Sequence, residues 1–455
     1  MPIPAVIKTQ LSQNNIAFSA TEILSRPELC CDVRSTIFQD GDKNLQVIFR
    51  ADSILDVAVL CQLTQRQLKV ATPASLQSIC EKLNLDQITS VPKILEIDLI
   101  VDQRLLDLAS LTFDSGSKDA LVTITQQQFQ TLIGDATIGA FTVLESALEK
   151  SSLDAVNDVE QITAAIANFT QLRIKEKLED TLELPPLPET AQRIIRLRAN
   201  PDADINDLID IVENDPPLAA QVVSWAASPY YAAPGKIQSV HDAIVRVLGF
   251  DLLLNLALGL ALGKTLSPPK NTVSGFHSYW EEAVYAATAV EALAGAIPST
   301  ERPPMGLAYL SGLLHNFGDL ILAEVFPADF ATICHYQEAN PYSNHRHIEH
   351  HLLGVNRDQL GAWIMRLWNM PEEVCTALRF QNDADFDNEN SSYANLLFIA
   401  MRLLRKHGVN GAPLTEIPPE LYQRLHLDPE KADEAIMNML ESSDELQLIA
   451  SNLAA

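Results

Sequence analysis

Histidines gathered at one place are the first residues with the means to do chemistry. His345, His347, His350 and His351 fall within one short stretch after Pro341. On a helix, His347 and His351 stand at i and i+4 and share a face. That spacing can hold zinc or nickel if Glu349 or Glu338 lends a carboxylate. The alternative is a polar, solvated helix start. Six cysteines (Cys30, Cys31, Cys61, Cys80, Cys334, Cys375) contain no CxxC pair, and adjacent Cys30 and Cys31 do not form an ordinary disulfide. Reduced thiols of a cytoplasmic protein are the reading. Ser53, Ser224 and Ser311 lie outside any GxSxG, so serine hydrolysis has no motif. Neither GxxxxGK[ST] nor GxGxxG occurs, which weakens nucleotide-driven readings.

The elements that must position such residues divide the chain in two. Residues 1–145 read as mixed α and β. Apolar runs of strand length occur at Gln46 to Phe49, Ile97 to Val101 and Asp119 to Thr125. Helical stretches lie between them, at Ile54 to Leu63 and Pro73 to Leu83, so a compact α/β domain with a mixed sheet is expected. Ser151 to Glu179 carries helical spacing at Ile162, Ile166, Phe169 and Leu172. The Pro-rich LELPPLPET at Leu182 to Thr190 then closes a linker. From Glu189 onward almost everything reads helical, including Val240 to Leu248, Leu252 to Leu262, His277 to Ala294, Leu307 to Phe326, Asp358 to Trp368 and Glu372 to Phe380. Trp225, Trp280, Trp363 and Trp368 all sit there and are read as core. The acidic NDADFDNENSS at Asn382 to Ser392 reads as a solvated loop. Helices resume at Tyr393 to His407 and Pro429 to Leu440.

The chain has 455 residues, more than one core usually serves, with 47% apolar and 20% charged side chains. Its formal charge of −27 falls mostly after residue 150 and argues against general DNA or anionic membrane binding. The start MPIPAVIKTQLSQNN lacks the basic and apolar regions of a signal peptide. The most apolar window, Leu252 to Leu262, is too short to span a bilayer and is read as a core helix.

Residues Leu184 to Asn382 resemble the HDOD family, a regulatory offshoot of the HD metal-dependent phosphohydrolases. The resemblance rests on LPPLPETAQRII, on DLIDIVENDPPLAAQVVSWAASPYY and on IQSVHDAIVRVLGFDLLLNLALGLAL. It continues through YLSGLLHNFGDLIL and IEHHLLGVNRDQLGAWIMRLWNMPEEVCTAL, with Glu349, Gly354, Gly361, Trp368 and Pro371 in register. HD phosphohydrolases surround one or two divalent ions with a His, a His-Asp pair and a later Asp or His; the ions activate water and clamp phosphate. The resemblance places His277 and His315 at the two His positions. Asn316 replaces the Asp, and an amide is a weaker ligand that cannot bridge cations. Asn356-Arg357 and Gln381-Asn382 stand where relatives carry Asp-His and His-His. The resemblance therefore implies a cleft around His277, His315, Asn316 and Glu349 that has lost metal hydrolysis. No cofactor is expected; a divalent metal, or a site at His347 and His351, is the alternative.

The first 145 residues resemble the aminoacyl-tRNA deacylase family of YbaK-like and prolyl-tRNA editing domains. The register runs through STIFQDGDKNLQVIFRADSILDVAVLCQL and QLKVATPASLQSICEKLNLDQITSVPKI, then LEIDLIVDQRLLDLASLTFDSGSKDALVTITQQQFQTLI. Active members carry a Lys near Arg34 or Ser35 and a Gly-rich turn before a Pro near Pro92. Here DQITSVPKI has no glycine, so a backbone cradle for the ester is harder to form. The resemblance implies a pocket at Arg34, Arg50 and Pro92 with altered or absent catalysis.

The expected organisation is a deacylase-like domain at 1–147, a helical linker at 148–183, an all-α HDOD domain at 184–385 and a helical extension at 386–455. The expected function is a cytoplasmic bacterial signal-transduction protein that binds a protein or small-molecule partner, without a membrane. The first alternative is a metal-dependent phosphohydrolase or phosphodiesterase. The second is tRNA trans-editing, with a basic entrance near Lys43, Arg34, Arg50 and Lys93.

Overall fold

A computed structural model describes residues 3–22, 30–41, 43–148, 157–166, 187–231, 235–263, 278–325, 327–409 and 415–454. The chain forms two compact units. The first comprises Met1–Ser151 together with Thr332–Ile348, and the second Ser152–Ala331 with Glu349–Ala455.

The first unit is a mixed sheet with helices, as the alternation of strand and helix patterns predicts. After helix α1 (Ala5–Gln13) come β1 (Ser19–Glu22), β2 (Val33–Asp40), β3 (Lys43–Arg50) and β4 (Ser53–Leu55). Helix α2 (Val57–Thr64), β5 (Lys69–Val70), helix α3 (Pro73–Leu83) and β6 (Asp98–Asp102) follow. Then come β7 (Ser110–Ser117), β8 (Ala120–Thr125), helix α4 (Gln126–Ile133), β9 (Thr137–Gly139) and β10 (Thr142–Leu144). The large sheet runs β1-β8-β7-β2-β3-β6-β9, with β5 on β2, while β10 and β4 make a separate pair. The β2–β7, β3–β6 and β6–β9 pairings are parallel. Its core joins Ile7 and Leu11 of α1 to Val33, Ile48, Val101, Phe113, Val122 and Phe129. The apolar stretch at Ile54 to Leu63 is not one helix. Asp56 interrupts it, capping α2 by accepting a hydrogen bond from Val59 N (3.0 Å), and the residues before it pair as β4.

The second unit is helical. Residues 158–166 form part of the expected linker helix; Phe169, Leu172 and the Pro-rich segment up to residue 186 lie outside the described residues. Then follow α5 (Glu189–Arg198), α6 (Ile205–Glu213), α7 (Pro216–Ala226), the short α8 (Val240–Ala243) and α9 (Gly249–Gly263). A π-helical turn at Ile244–Leu248 joins α8 to α9. Further on lie α10 (Tyr279–Ala296), α11 (Met305–Leu314), α12 (Phe317–Val325), α13 (Pro327–Ala339), α14 (His345–Leu353), α15 (Arg357–Leu367) and α16 (Glu372–Phe380), of which α13 from Thr332 and α14 up to Ile348 belong to the first unit. Helices α17 (Ser391–Lys406), α18 (Pro419–Arg424), α19 (Pro429–Leu440) and α20 (Ser443–Ala454) complete the chain. Val240–Gly263 is apolar and long enough to cross a membrane, yet 61% of its most apolar window is buried inside the protein. Such burial is what a core helix shows.

The run Leu307 to Phe326, read as one helix, breaks between α11 and α12 at His315 and Asn316. Close approach of helices sets this corner. A Cβ on Gly312 would lie 2.5 Å from Ala287 Cα of α10, and one on Gly318 would lie 2.1 Å from the Arg357 carbonyl oxygen. Only glycine admits both neighbours. Helix 158–166 is tied to the same unit by a buried ion pair. Arg379 Nε donates to Asp158 Oδ2 (2.5 Å) and its Nη2 to Asp158 Oδ1 (2.9 Å), with the Arg379 side chain fully buried.

Candidate functional site

In the helical unit, the break between α11 and α12 presents His315 and Asn316, both buried. His315 Nδ1 is 2.7 Å from the Gly312 carbonyl, so that nitrogen carries a proton and donates. Its Nε2 makes no hydrogen bond and lies 3.8 Å from Glu282 Oε1 on α10. Asn316 Nδ2 donates to the Tyr279 carbonyl (3.1 Å), and Asn316 Oδ1 is left without a partner. Gln381 Nε2 donates to the His315 carbonyl (3.0 Å) and to Asp358 Oδ1 (3.1 Å). Asn382 Nδ2 donates to Asp358 Oδ2 (3.2 Å). The amides therefore hold backbone and side chains in place by donating.

Arg357 supplies the positive charge of this region. Its Nη1 donates to Asp319 Oδ2 (2.6 Å), its Nε to Glu349 Oε1 (2.5 Å) and its backbone N–H to Glu349 Oε2 (2.8 Å), while Nη2 also reaches Glu349. Glu349 is fully buried. Burial pushes the Asp319 carboxyl up to about 7 and raises that of Glu349, against the pull of Arg357 in both cases. The guanidinium outweighs its own burial and is held above the ordinary arginine value by the two carboxylates.

A divalent cation does not suit this set. Asn316 and Gln381 offer neutral amides, and the neighbouring carboxylates Asp319 and Glu349 already neutralise a fixed cation. Among the described residues no group of three or more His, Cys, Asp or Glu has a metal-holding arrangement. His277 lies outside the described residues. Of the residues expected around the cleft, His315 and Asn316 are adjacent, and Glu349 is drawn into the Arg357 pair.

The histidine helix does something other than gather ligands. His347, itself part of the first unit, is buried, with Nδ1 3.5 Å from Glu145 Oε2 of that same unit, and His351 is half-buried. Glu145 is held below the ordinary carboxylate range. Burial pushes it up, but the nearby His347 and Ser343 side chains and the charge of Arg34 prevail.

The first unit also holds a partly open cavity of about 410 Å³. Arg34 of β2, Asp114 of β7 and the turn residues Asp86, Gln87 and Ser90 line it, together with Cys31, Cys80 and a wall of Glu338, Pro341 and Tyr342. Arg34 is mostly enclosed, which lowers its pKa from the ordinary arginine value through burial. Its Nη1 is 3.4 Å from Ser343 Oγ, its guanidinium lies 5.4 Å from the Tyr342 ring centre, and its Nε has no hydrogen-bond partner. Asp114 accepts from Gly116 N (2.7 Å) and from Gln87 Nε2, and its backbone N–H donates to Ser90 Oγ (2.9 Å). Gly116, at φ +78°, makes that turn possible. Burial, then Asp114, pushes the Cys31 thiol up to about 12 and raises that of Cys80, so neither is a ready nucleophile.

The three residues expected in this pocket separate. Arg34 lines the cavity. Arg50 ends β3 opposite Val33 and is taken up by Asp52, with Nε to Oδ1 at 2.9 Å. Pro92 is buried in the turn after Ser90, beside Val91 and Ile94 of the core. Lys93 reaches Asp135 (3.3 Å).

Sequence reading missed the cavity wall. Thr332–Ile348 joins the first unit through polar contacts made by a few side chains. Leu55 N donates to Asn340 Oδ1 (2.7 Å) and Asn340 Nδ2 donates back to the Leu55 carbonyl (3.1 Å). Tyr336 Oη donates to Asp56 Oδ1 (2.7 Å) and accepts from Ala58 N (3.0 Å), and Thr36 Oγ1 donates to the Ala339 carbonyl (2.9 Å).

Comparison with known proteins matches residues 184–384 to the HDOD domain and residues 30–132 to the aminoacyl-tRNA editing domain. A candidate signal transduction protein from Marinobacter aquaeolei VT8 is 38% identical, with all of each chain covered and a TM-score of 0.90. An HDOD domain protein of unknown function from Geobacter sulfurreducens shares the fold at 22% identity, covering 65% of this chain and 99% of its own, with a TM-score of 0.51. An uncharacterised protein of Treponema pallidum (strain Nichols) is 24% identical over 284 residues, 61% of this chain. The chain spans about half the length of that curated relative, 52%. These matches, with full-length likeness to the Marinobacter protein, place the chain in the HDOD family, with an aminoacyl-tRNA editing domain ahead of its HDOD domain.

Proposed function

We propose that this protein is a signal-transduction regulator that acts by binding a protein or small-molecule partner through an HDOD domain that has given up metal-dependent hydrolysis. The observation that carries this reading is the Arg357 guanidinium fixed between Asp319 and Glu349. A fixed cation fills the electrostatic role that a divalent ion would otherwise fill, but it cannot lower the pKa of a water or exchange ligands with a phosphate. What remains is a buried polar centre whose amides hold the α11–α12 break in one shape. Such a centre supports recognition better than turnover. The formal charge of −27 supports a partner other than bulk nucleic acid.

The test is elemental analysis of tag-free protein after dialysis against a weak chelator, with turnover assays on phosphodiesters in added Mn, Fe or Mg. No retained metal and no turnover is the expected result. One or two tightly held ions per chain, with turnover abolished in His315→Ala, would overturn the reading in favour of a phosphohydrolase.

A further inference from the structure

We propose that the second unit binds a small primary amine as its ammonium ion, held between Glu291 of α10 and Tyr309 of α11 beside the rings of Trp225, Tyr230 and Tyr231. This gives a chemical class to the small-molecule partner and so rests on the binding reading above. It uses no group of the α11–α12 break, and the two can fail separately.

A carboxylate without a counter-ion carries the inference. Glu291 Oε2 and Tyr309 Oη are both buried, and neither has a hydrogen-bond partner among the described residues. Burial alone pushes the Glu291 carboxyl up to about 7, and among the described residues no Lys, Arg or His pulls it back. An ionised group in such a place is costly until something pairs with it. Glu291 and Tyr309 are close enough for the carboxylate charge to push the phenol up, yet no hydrogen bond joins them. A gap therefore separates an acid from a hydroxyl, both waiting for a donor.

The surroundings suit an organic cation. Trp225 Nε1 donates to Tyr231 Oη (3.2 Å); Trp225 meets Tyr309 edge to face at 5.9 Å, and Tyr230 meets Tyr231 in the same way at 5.0 Å. Aromatic faces attract an ammonium group through the ring quadrupole. Gln221 lies one helical turn before Trp225 on α7, and its Oε1 is likewise buried without a partner among the described residues. Three unpartnered oxygens match the three N–H donors of a primary ammonium, whereas a quaternary ammonium has none to give. An anionic ligand would be repelled by Glu291. Glu291, Tyr230 and Tyr231 keep partial exposure while Tyr309 is fully buried, so the amine enters charge first and leaves its stem toward solvent. The formal charge of −27 raises the local concentration of cations.

The experiment is calorimetric titration of the full chain with n-butylammonium, tetramethylammonium and potassium chlorides at fixed ionic strength. It is run at about pH 8, where Glu291 is ionised and an alkylammonium still protonated. Butylammonium should bind, and tetramethylammonium and potassium about tenfold or more weaker. Glu291→Gln should abolish that binding without lowering the thermal unfolding midpoint, because a neutral amide carries no buried charge. Tyr309→Phe removes one hydroxyl and should weaken binding about threefold or more, which keeps the test decisive if Glu291→Gln does not fold. No heat from butylammonium at about 10 mM, equal binding of tetramethylammonium, or full binding by either variant would overturn the proposal. Metal loading and phosphodiester turnover are read separately and are not moved by any of these results.

Discussion

Replacing Arg357 by Met removes the guanidinium while keeping most of the side-chain length. Two acidic groups lose their partner at once: Glu349, with a fully buried side chain, and Asp319, with 16% of its side chain exposed. Stranding a buried ion-pair partner typically costs about 3–5 kcal/mol. With a urea slope near the upper end of the usual range of about 1–3 kcal/mol per molar, the unfolding midpoint should fall by about 1–2 M. The loss should depend on pH. Without Arg357 both carboxyls rise further, so the folded state takes up protons that the unfolded state releases above its ordinary carboxylate value. Stability from such a group is greatest at low pH and is lost as pH rises through the folded value. The variant should therefore be more damaged near pH 8 than near about pH 5.5. All four tryptophans lie between residues 225 and 368, within the helical unit, so tryptophan fluorescence follows its unfolding directly. A midpoint shift below about 0.3 M, or an equal shift at both pH values, would refute the view that this pair holds the centre together.

Three further outcomes follow from named contacts. Asp158→Asn leaves the fully buried Arg379 without its carboxylate and should cost about 3–5 kcal/mol by the same fluorescence assay; Asp158→Leu combined with Arg379→Met should recover much of it. Gly318→Ala drives a methyl group onto the Arg357 carbonyl and should destabilise by at least about 1–3 kcal/mol, visible as a lost near-ultraviolet circular dichroism signal. Glu145 is held below the ordinary carboxylate range, so its contribution is present above that range and vanishes as pH falls through its folded value. In Glu145→Gln, hydrogen exchange of the β2 and β3 amides should lose that acid dependence, and an unchanged pH profile would remove His347 and Arg34 as its stabilising partners.

Patterns local in sequence were legible. Pro73 to Leu83, Glu372 to Phe380 and Pro429 to Leu440 appear as helices with those same bounds, because capping residues, Pro and apolar spacing fix them without help from elsewhere. The Asn316 and Arg357 replacements were visible as residue types, but the ion pair that gives Arg357 its role joins positions 38 residues apart. Apolar spacing cannot report a strand three residues long, so β4 was absorbed into the helix that follows. Arg34, Arg50 and Pro92 seemed to belong together. Strand register and the nearby Asp52 take Arg50 to its own partner, and packing of the turn buries Pro92. The cavity wall was invisible for a related reason. Asn340 and Tyr336 act through single side-chain hydrogen bonds to residues some 280 positions away, which leave no periodic trace.

The late-arriving segment Thr332–Ile348 also sets a timetable for biosynthesis. An N-terminal domain commonly folds while the rest of its chain is still being made. Here the first unit lacks a piece of itself until the ribosome has added nearly two hundred more residues after Ser151. At about 5–20 residues per second that is a wait of about 10–40 s, during which the Arg34 side of the sheet stands without Tyr342 and Asn340. Neither unit can be excised with a single cut, so a nascent chain stalled before residue 332 would present an open, unfinished sheet to chaperones and proteases.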